Sequence, residues 1–283
     1  IHKALTDIQT TLKENGSSLY ILHDTPQQAF EKLTKEFDIT AVYTNHDYEP
    51  YASSRDAEVK KFLTAKDIVL HTFKDQVIFE RNEVVKADGS PYTIFTPFSK
   101  IWKEKYAAQK KERYPSEKHL NNLYQTKPLP IPSLKQLGFE EVLLDIPSVT
   151  PDKSIIQHYD ETRNLPYVNG TSKMSVHLRF GTVSVRELAA KAAQWNDQWL
   201  NELIWREFFM MILWHFPNVI TESFKSKYDR IPWRNNEAEF KKWCAGETGY
   251  PMVDAGMREM NSTGLMHNRV RMVVASFLTK HLL

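Results

Sequence analysis

The period of the apolar pattern changes near residue 154, and this change limits the fold more than any other feature of the chain. Before it, short β-rich runs at Ser18–His23, Thr40–Tyr43, Ile68–Phe73 and Gln76–Phe79 alternate with helical patterns at about 3–15, 26–37, 54–65 and 98–113. Strands alternating with helices predict a parallel sheet with helices on its faces. Asp24-Thr25-Pro26 supplies a cap and a first-turn proline for the second of these helices. After residue 154 the β-rich runs vanish. Helical periods cover about 154–163, 184–195, 198–216, 237–245, 251–261 and 265–283. Between the halves, Pro115, Pro128, Pro130, Pro132, Pro147 and Pro151 punctuate a stretch with few periodic runs. A long irregular connector is unusual inside one domain. The expectation is therefore an α/β domain over 1–114, a connector over 115–153 and an all-α domain over 154–283.

Composition excludes several classes. The 283 residues carry 37 Lys+Arg against 35 Asp+Glu, a net charge of +2 that neither requires nor excludes nucleic acid. The single cysteine, Cys244, rules out an internal disulfide framework and a multi-cysteine zinc site, and fits a reducing compartment. None of the nine glycines forms a GxG pair and no GxxxxGK[ST] occurs, so both common nucleotide fingerprints are absent. The most apolar stretch, Phe208–Phe216, is too short to span a bilayer and reads as a buried helix. The chain opens at Ile1 and ends inside an apolar pattern with no stop signal. It reads as an internal piece of a longer protein.

Three segments have the residue types for chemistry. On a helix, Trp199, Glu202, Trp205 and Arg206 fall at i, i+3, i+6 and i+7 and share a face. A carboxylate and a guanidinium between two indoles need partners or a ligand if buried. The plain alternative is an amphipathic edge with an i,i+4 Glu202–Arg206 pair. In the second segment, 266–272, Asn268, Arg271 and Met272 share a face while Arg269 points elsewhere. This polar turn reads as a ligand site or a helix cap, and His267 has no second His or Cys at metal-ligand spacing. The third, Gly170-Thr171-Ser172-Lys173-Met174-Ser175, reads as a phosphate nest or an ordinary N-cap turn. Six of the seven tryptophans lie between 195 and 243. They suit either an aromatic core or a site for a large planar ligand. Cys244 reads as structural and Lys100–Lys118 as a solvated face. No metal site is expected.

Taken in order, these segments resemble the photolyase/cryptochrome flavoproteins. The resemblance rests on 170–175, on Leu178-Arg179-Phe180-Gly181-Thr182-Val183-Ser184-Val185-Arg186, and on the 199–209 helix. It extends through Glu247-Thr248-Gly249-Tyr250-Pro251-Met252-Val253-Asp254-Ala255-Gly256-Met257-Arg258 and 261–272. Tyr48-Glu49-Pro50-Tyr51, Arg55-Asp56 and Phe95-Thr96-Pro97-Phe98 look like the family's antenna domain. The resemblance covers essentially the whole chain. It implies a Rossmann-like N-terminal antenna domain followed by a helical FAD-binding domain, both partial here. The first strand and its helix, and the end of the FAD domain, look missing.

The resemblance implies that Tyr159, Thr171, Ser172, Lys173, Met174 and Ser175 hold the FAD phosphates and ribityl chain. Trp199, Arg206, Asn268 and Arg271 would complete that pocket. Glu202, Trp205, Asn268 and Met272 would line a cavity for a flipped-out pyrimidine dimer. Arg163 and Arg269 would lie beside DNA phosphates or the lesion, and Trp233 would be the outer end of a tryptophan chain feeding electrons to the flavin. Asn268 with Met272 resembles the class I cyclobutane-dimer photolyases. The implied partner is UV-damaged DNA, and the implied protein is a cytoplasmic, bacterial-type monomer with no membrane association. Two alternatives stay open: a blue-light photoreceptor without repair activity, and a flavin-free helical DNA-binding module. Leu265 stands where many members have tryptophan. Tyr51 and Ala52 replace the Asn-Glu pair of folate-antenna members, and Thr221 stands near the place of their lysine. The folate antenna site is thus poorly matched, and the antenna chromophore is left unassigned.

Overall fold

The computed structural model describes residues 1–109, 114–142 and 145–282. Two compact units emerge. One comprises Ile1–Val142, Ser175–Ala190 and Ile204–His215; the other comprises Leu143–Met174, Lys191–Leu203 and Phe216–Leu283. The connector expected over 115–153 is thus divided between them.

The first unit begins with α1 (His2–Glu14) and α2 (Pro26–Glu36). Thr25 caps α2 in a capping box with Gln28, and Pro26 fills its first turn, as the sequence predicts. There follow β1 (Ala41–Asn45), α3 (Pro50–Thr64), β2 (Val69–Phe73) and α4 (Phe95–Ala108). Strands β1 and β2 pair in parallel, with Tyr43 opposite His71. Val59, Leu63 and Ile68 pack beneath them with Phe30, Ile39, Val42 and Leu70. Burial of such side chains contributes roughly 1.5–3 kcal/mol each. The predicted helix 98–113 starts earlier, at Phe95, and its end, 110–113, lies outside the described residues.

Two expected strands do not form, because side chains take their backbone donors. The N–H of Leu19 donates to Gln9 Oε1 at 2.7 Å, and Ser18 Oγ accepts the N–H of Leu129 at 2.9 Å. These bonds tie Ser18–His23 to α1 and to the proline-rich segment rather than to a strand. At Gln76–Phe79, the N–H groups of Ile78 and Phe79 donate to Glu207 at 2.7 and 2.9 Å. A carboxylate stands where a neighbouring strand would be. Among the described residues the sheet therefore has two strands.

The remaining elements are helical: α5 (Lys153–Gln157), α6 (Tyr159–Thr162), α7 (Ser175–Phe180), α8 (Val185–Trp195), α9 (Asp197–His215), α10 (Glu237–Ala245), α11 (Pro251–Thr263) and α12 (Asn268–His281). The helix expected over 154–163 breaks at His158, whose φ is −108°. Helix α7 was not expected. In the second unit Val253, Met257, Val270, Val274 and Phe277 form the core of α11 and α12, with Trp243 of α10 packed against it. Gly256 permits the close approach: a Cβ there would stand 2.4 Å from Val270 Cγ1. Trp243 Nε1 donates to the Val274 carbonyl at 3.2 Å.

Candidate active site

In the second unit a polar cluster joins three segments of chain. Tyr159 opens α6 and is buried, and the Arg163 guanidinium lies 5.6 Å from its ring centroid. Burial and the nearby Glu202 carboxylate push the Tyr159 phenol up to about 12. Arg163 pairs with Glu202 on α9, and Gln198, one turn earlier, donates to the same carboxylate at 3.1 Å. Asn196 holds the start of α9 by accepting from the N–H groups of Gln198 and Trp199 at 2.9 and 3.2 Å. Asn164, the neighbour of Arg163, accepts from Arg269 Nε at 2.8 Å. Adjacent residues at the end of α6 thus hold one residue on α9 and one on α12. The cluster is half-open: Glu202 keeps 31% and Arg163 17% of its side chain accessible.

The plain alternative reading of α9 is corrected here. Glu202 and Arg206 do not pair; Glu202 takes Arg163 and Gln198, and Arg206 donates to the carbonyls of Gln76 at 2.6 Å and Leu178 at 3.4 Å. Its burial in the first unit lowers the Arg206 pKa. The expectation that Arg269 points away from Met272 is also corrected, since Arg269 Nη1 lies 3.5 Å from Met272 Sδ. One helical turn separates them, and the long guanidinium arm spans it.

The other expected residues fall as follows. Trp199 is 2% exposed and stacks against Trp195, with centroids 6.2 Å apart. In the first unit Trp205 lies face to face with Phe95, centroids 3.6 Å apart and planes 5° from parallel. Asn268, Arg271 and Met272 are exposed on the first turns of α12. Trp233 is 46% exposed on an open groove of about 740 Å³ that Thr221 and Tyr228 also line.

The 170–175 segment offers donors. Lys173 has a φ of +51°, the left-handed conformation of a nest. Among the described residues, the N–H groups of Thr171, Ser172, Lys173 and Met174 and the hydroxyls of Thr171, Ser172 and Ser175 have no protein acceptor. Gly170 seats this loop against α6, because a Cβ there would meet Thr162 at 2.5 Å. His267 adds another unmet donor. Its Nδ1 accepts the Arg269 N–H at 3.1 Å, so Nε2 carries the proton, and that buried atom has no partner. A run of free donors on a turn with a left-handed residue fits a phosphate group. Among the described residues no three His, Cys, Asp or Glu side chains form a metal site. No described helix is long and apolar enough to cross a membrane.

Sequence reasoning missed Asn164, Gln198, Phe95 and Glu207. Glu207 left one signal: an acid inside the apolar run from Leu203 to Leu213 must find partners if that run is buried. It is 2% exposed and accepts from Ile78, Phe79 and, at 2.5 Å, Trp102 Nε1.

Residues 1–117 match the DNA photolyase family model, and residues 199–283 match the model for the FAD binding domain of DNA photolyase. Proteins named deoxyribodipyrimidine photo-lyase are similar: that of Halobacterium salinarum is 34% identical over 99% of this chain and 63% of its own length. That of Escherichia coli is 32% identical over 100% and 64%. Among solved structures, a bacterial class III photolyase from Agrobacterium tumefaciens aligns with a TM-score of 0.80 at 27% identity, over 100% of this chain and 63% of its own. An archaeal photolyase from Sulfolobus tokodaii with two FAD molecules aligns at 0.78 and 27%, over 99% and 62%. A Synechocystis cryptochrome at 23% identity and a TM-score of 0.77, over 98% and 62%, shares the fold.

The fold is thus that of the flavin-dependent photolyases and cryptochromes. The chain belongs to the DNA photolyase/cryptochrome family. It spans just under two thirds of the length of the relatives it matches.

Proposed function

We propose that the full-length protein repairs cyclobutane pyrimidine dimers in DNA, using FAD and light. The observation that carries this reading is the half-open carboxylate of Glu202, held between Arg163 and Gln198 and linked through Asn164 to Arg269. A carboxylate in this setting suits a neutral partner that offers N–H donors, such as a pyrimidine pair, and the two arginines suit phosphates.

The residues that would hold FAD are Tyr159, Thr171, Ser172, Lys173, Met174 and Ser175 toward the phosphates and ribityl chain, with Trp199, Arg206, Asn268 and Arg271 completing the pocket. When bound and reduced, FAD supplies the light-driven electron that splits the dimer. The side chains orient the lesion. Glu202 would accept hydrogen bonds from the N–H groups of the paired bases, and the Arg163 guanidinium beside it would stabilise negative charge as it develops. Trp205 and Met272 offer apolar walls for bases drawn out of the stack, and Asn268 a polar contact. Arg163 and Arg269 would hold the backbone. Trp233, exposed to solvent, would receive electrons from outside and pass them inward.

The domain reading follows: residues 1–114 are a partial α/β antenna domain, 115–153 a linker, and 154–283 a partial helical FAD-binding domain. The antenna chromophore is unassigned, since Tyr51, Ala52 and Thr221 do not match a folate site. The partner is damaged DNA, and the protein acts as a cytoplasmic monomer. Glu202→Ala in the full-length protein is expected to retain the yellow FAD and lose light-driven repair by at least tenfold, or about 1.4 kcal/mol. Unchanged repair in that variant would contradict the assignment of Glu202. A yellow wild-type protein with no repair would instead be a blue-light receptor.

A further inference from the structure

We propose that Glu207 is a positioning residue that sets the ring of Trp205, the apolar wall of the lesion site. The inference rests on the proposed function, because it takes its meaning from the role given to Trp205.

Four observations carry it, all within the first unit. First, Glu207 is 2% exposed and each of its oxygens is used: Oε2 accepts the Ile78 N–H at 2.7 Å, while Oε1 accepts Phe79 N–H at 2.9 Å and Trp102 Nε1–H at 2.5 Å. In its ionised form, which prevails above about pH 7, Glu207 offers acceptors to all three N–H groups without placing a donor against any of them. Second, Trp102 and Phe95 lie two turns apart on α4, and Glu207 and Trp205 lie two residues apart on α9. The Trp102–Glu207 bond and the Phe95–Trp205 stack therefore join the same two helices. Third, that stack has centroids 3.6 Å apart and planes 5° from parallel. Aromatic pairs left to themselves prefer offset or edge-on contacts with centroids 4.5–7 Å apart. The face-to-face contact needs an outside constraint, and the bond two turns along α4 supplies it. Fourth, Arg206, between the two residues, donates to the Gln76 carbonyl at 2.6 Å. The 76–79 turn is thus gripped at a carbonyl and at two N–H groups by consecutive residues of α9. This grip fixes the rotation of α9 about its axis, and with it the direction of Trp205.

The test uses the full-length, FAD-loaded protein at about pH 8, where Glu207 is ionised, with two variants, Glu207→Gln and Trp102→Phe. Hydrogen exchange at the Ile78 and Phe79 amides reads the grip. Dark binding of a cyclobutane-dimer oligonucleotide, against the same undamaged oligonucleotide, reads the wall. Flavin absorbance and repair per bound lesion read the rest of the site. Glu207→Gln is expected to speed exchange at both amides and weaken dimer binding about tenfold. Flavin content and repair per bound lesion should stay within about twofold of wild type. Trp102→Phe removes one donor while keeping the grip on the turn, so it carries the test if Glu207→Gln does not fold. It is expected to weaken dimer binding in the same direction. Wild-type dimer affinity in a folded variant with faster exchange would overturn the proposal and leave Glu207 a structural clamp. If the wild-type protein itself does not prefer the dimer, the lesion-site reading fails and the inference falls with it. The exchange data then report the clamp alone.

Discussion

At the scale of single residues, the decisive feature is a carboxylate placed where its charge is expensive. Burial pushes Glu207 up to about 7 from its ordinary 4.5, against the pull of the Ile78, Phe79 and Trp102 donors and the Arg206 guanidinium. The Tyr48 phenol also feels this carboxylate, and is itself raised by burial. In the folded chain Glu207 holds its proton at a pH where the unfolded chain has lost it. Stability from this group is therefore complete below about pH 4.5 and falls as pH rises through about 7, by about 3 kcal/mol in all. Denaturant unfolding between pH 4.5 and 8 is expected to show this slope in wild type and to lose it in Glu207→Gln. A variant with the wild-type slope would contradict the assignment. The sequence made Glu202 conspicuous by its place between two tryptophans, and it did not show Glu207. The reason is physical: Glu202 announces itself by local spacing, whereas the partners of Glu207 lie 105 to 129 positions away.

At the scale of elements, local chemistry was legible and tertiary competition was not. Helix α10 runs Glu237–Ala245 as expected, because both ends carry their own signals. Asn236 accepts the N–H groups of Ala238 and Glu239, and Gly246 takes the left-handed conformation with a φ of +69°. Helix α12 begins at Asn268 rather than near 265, because His267 is its cap. Ser18–His23 and Gln76–Phe79 have strand composition, yet Gln9 claims the Leu19 N–H and Glu207 claims those of Ile78 and Phe79, donors that a ladder would need. Two glycine substitutions test the packing. Gly256→Ala drives a methyl into Val270 and Val274 and is expected to cost about 1–3 kcal/mol, read as a fall in melting temperature. Gly170→Ala presses on the side chain and carbonyl of Thr162, so it is expected to displace the 171–175 loop. The measurement is bound FAD per chain, which should fall while the far-ultraviolet spectrum of the helices persists. Full FAD loading in a folded Gly170→Ala protein would remove that loop from the cofactor site.

At the scale of the whole molecule, the ordered motifs identified the family, whereas the change of period near residue 154 suggested a single cut. The compact units do not follow one cut in the chain: 175–190 and 204–215 belong with the N-terminal residues. Contacts such as Glu207 to Ile78 create that arrangement, and no local pattern encodes them. The candidate residues Glu202 and Trp205 stood out in the sequence because one helix sets their spacing, although it did not show their partners, Arg163 and Phe95. The contacts by which Arg163 and Asn164, at the end of α6, reach Glu202 on α9 and Arg269 on α12 were not legible. The central claim is light-driven repair, and the most direct measurement is the restoration of intact pyrimidines in a cyclobutane-dimer oligonucleotide by the full-length, reduced, FAD-loaded protein. The account predicts repair under blue light, none in the dark, and loss of repair on Glu202→Ala. Equal product in light and dark, or a flavin-loaded protein that leaves the dimer intact under light, would contradict it.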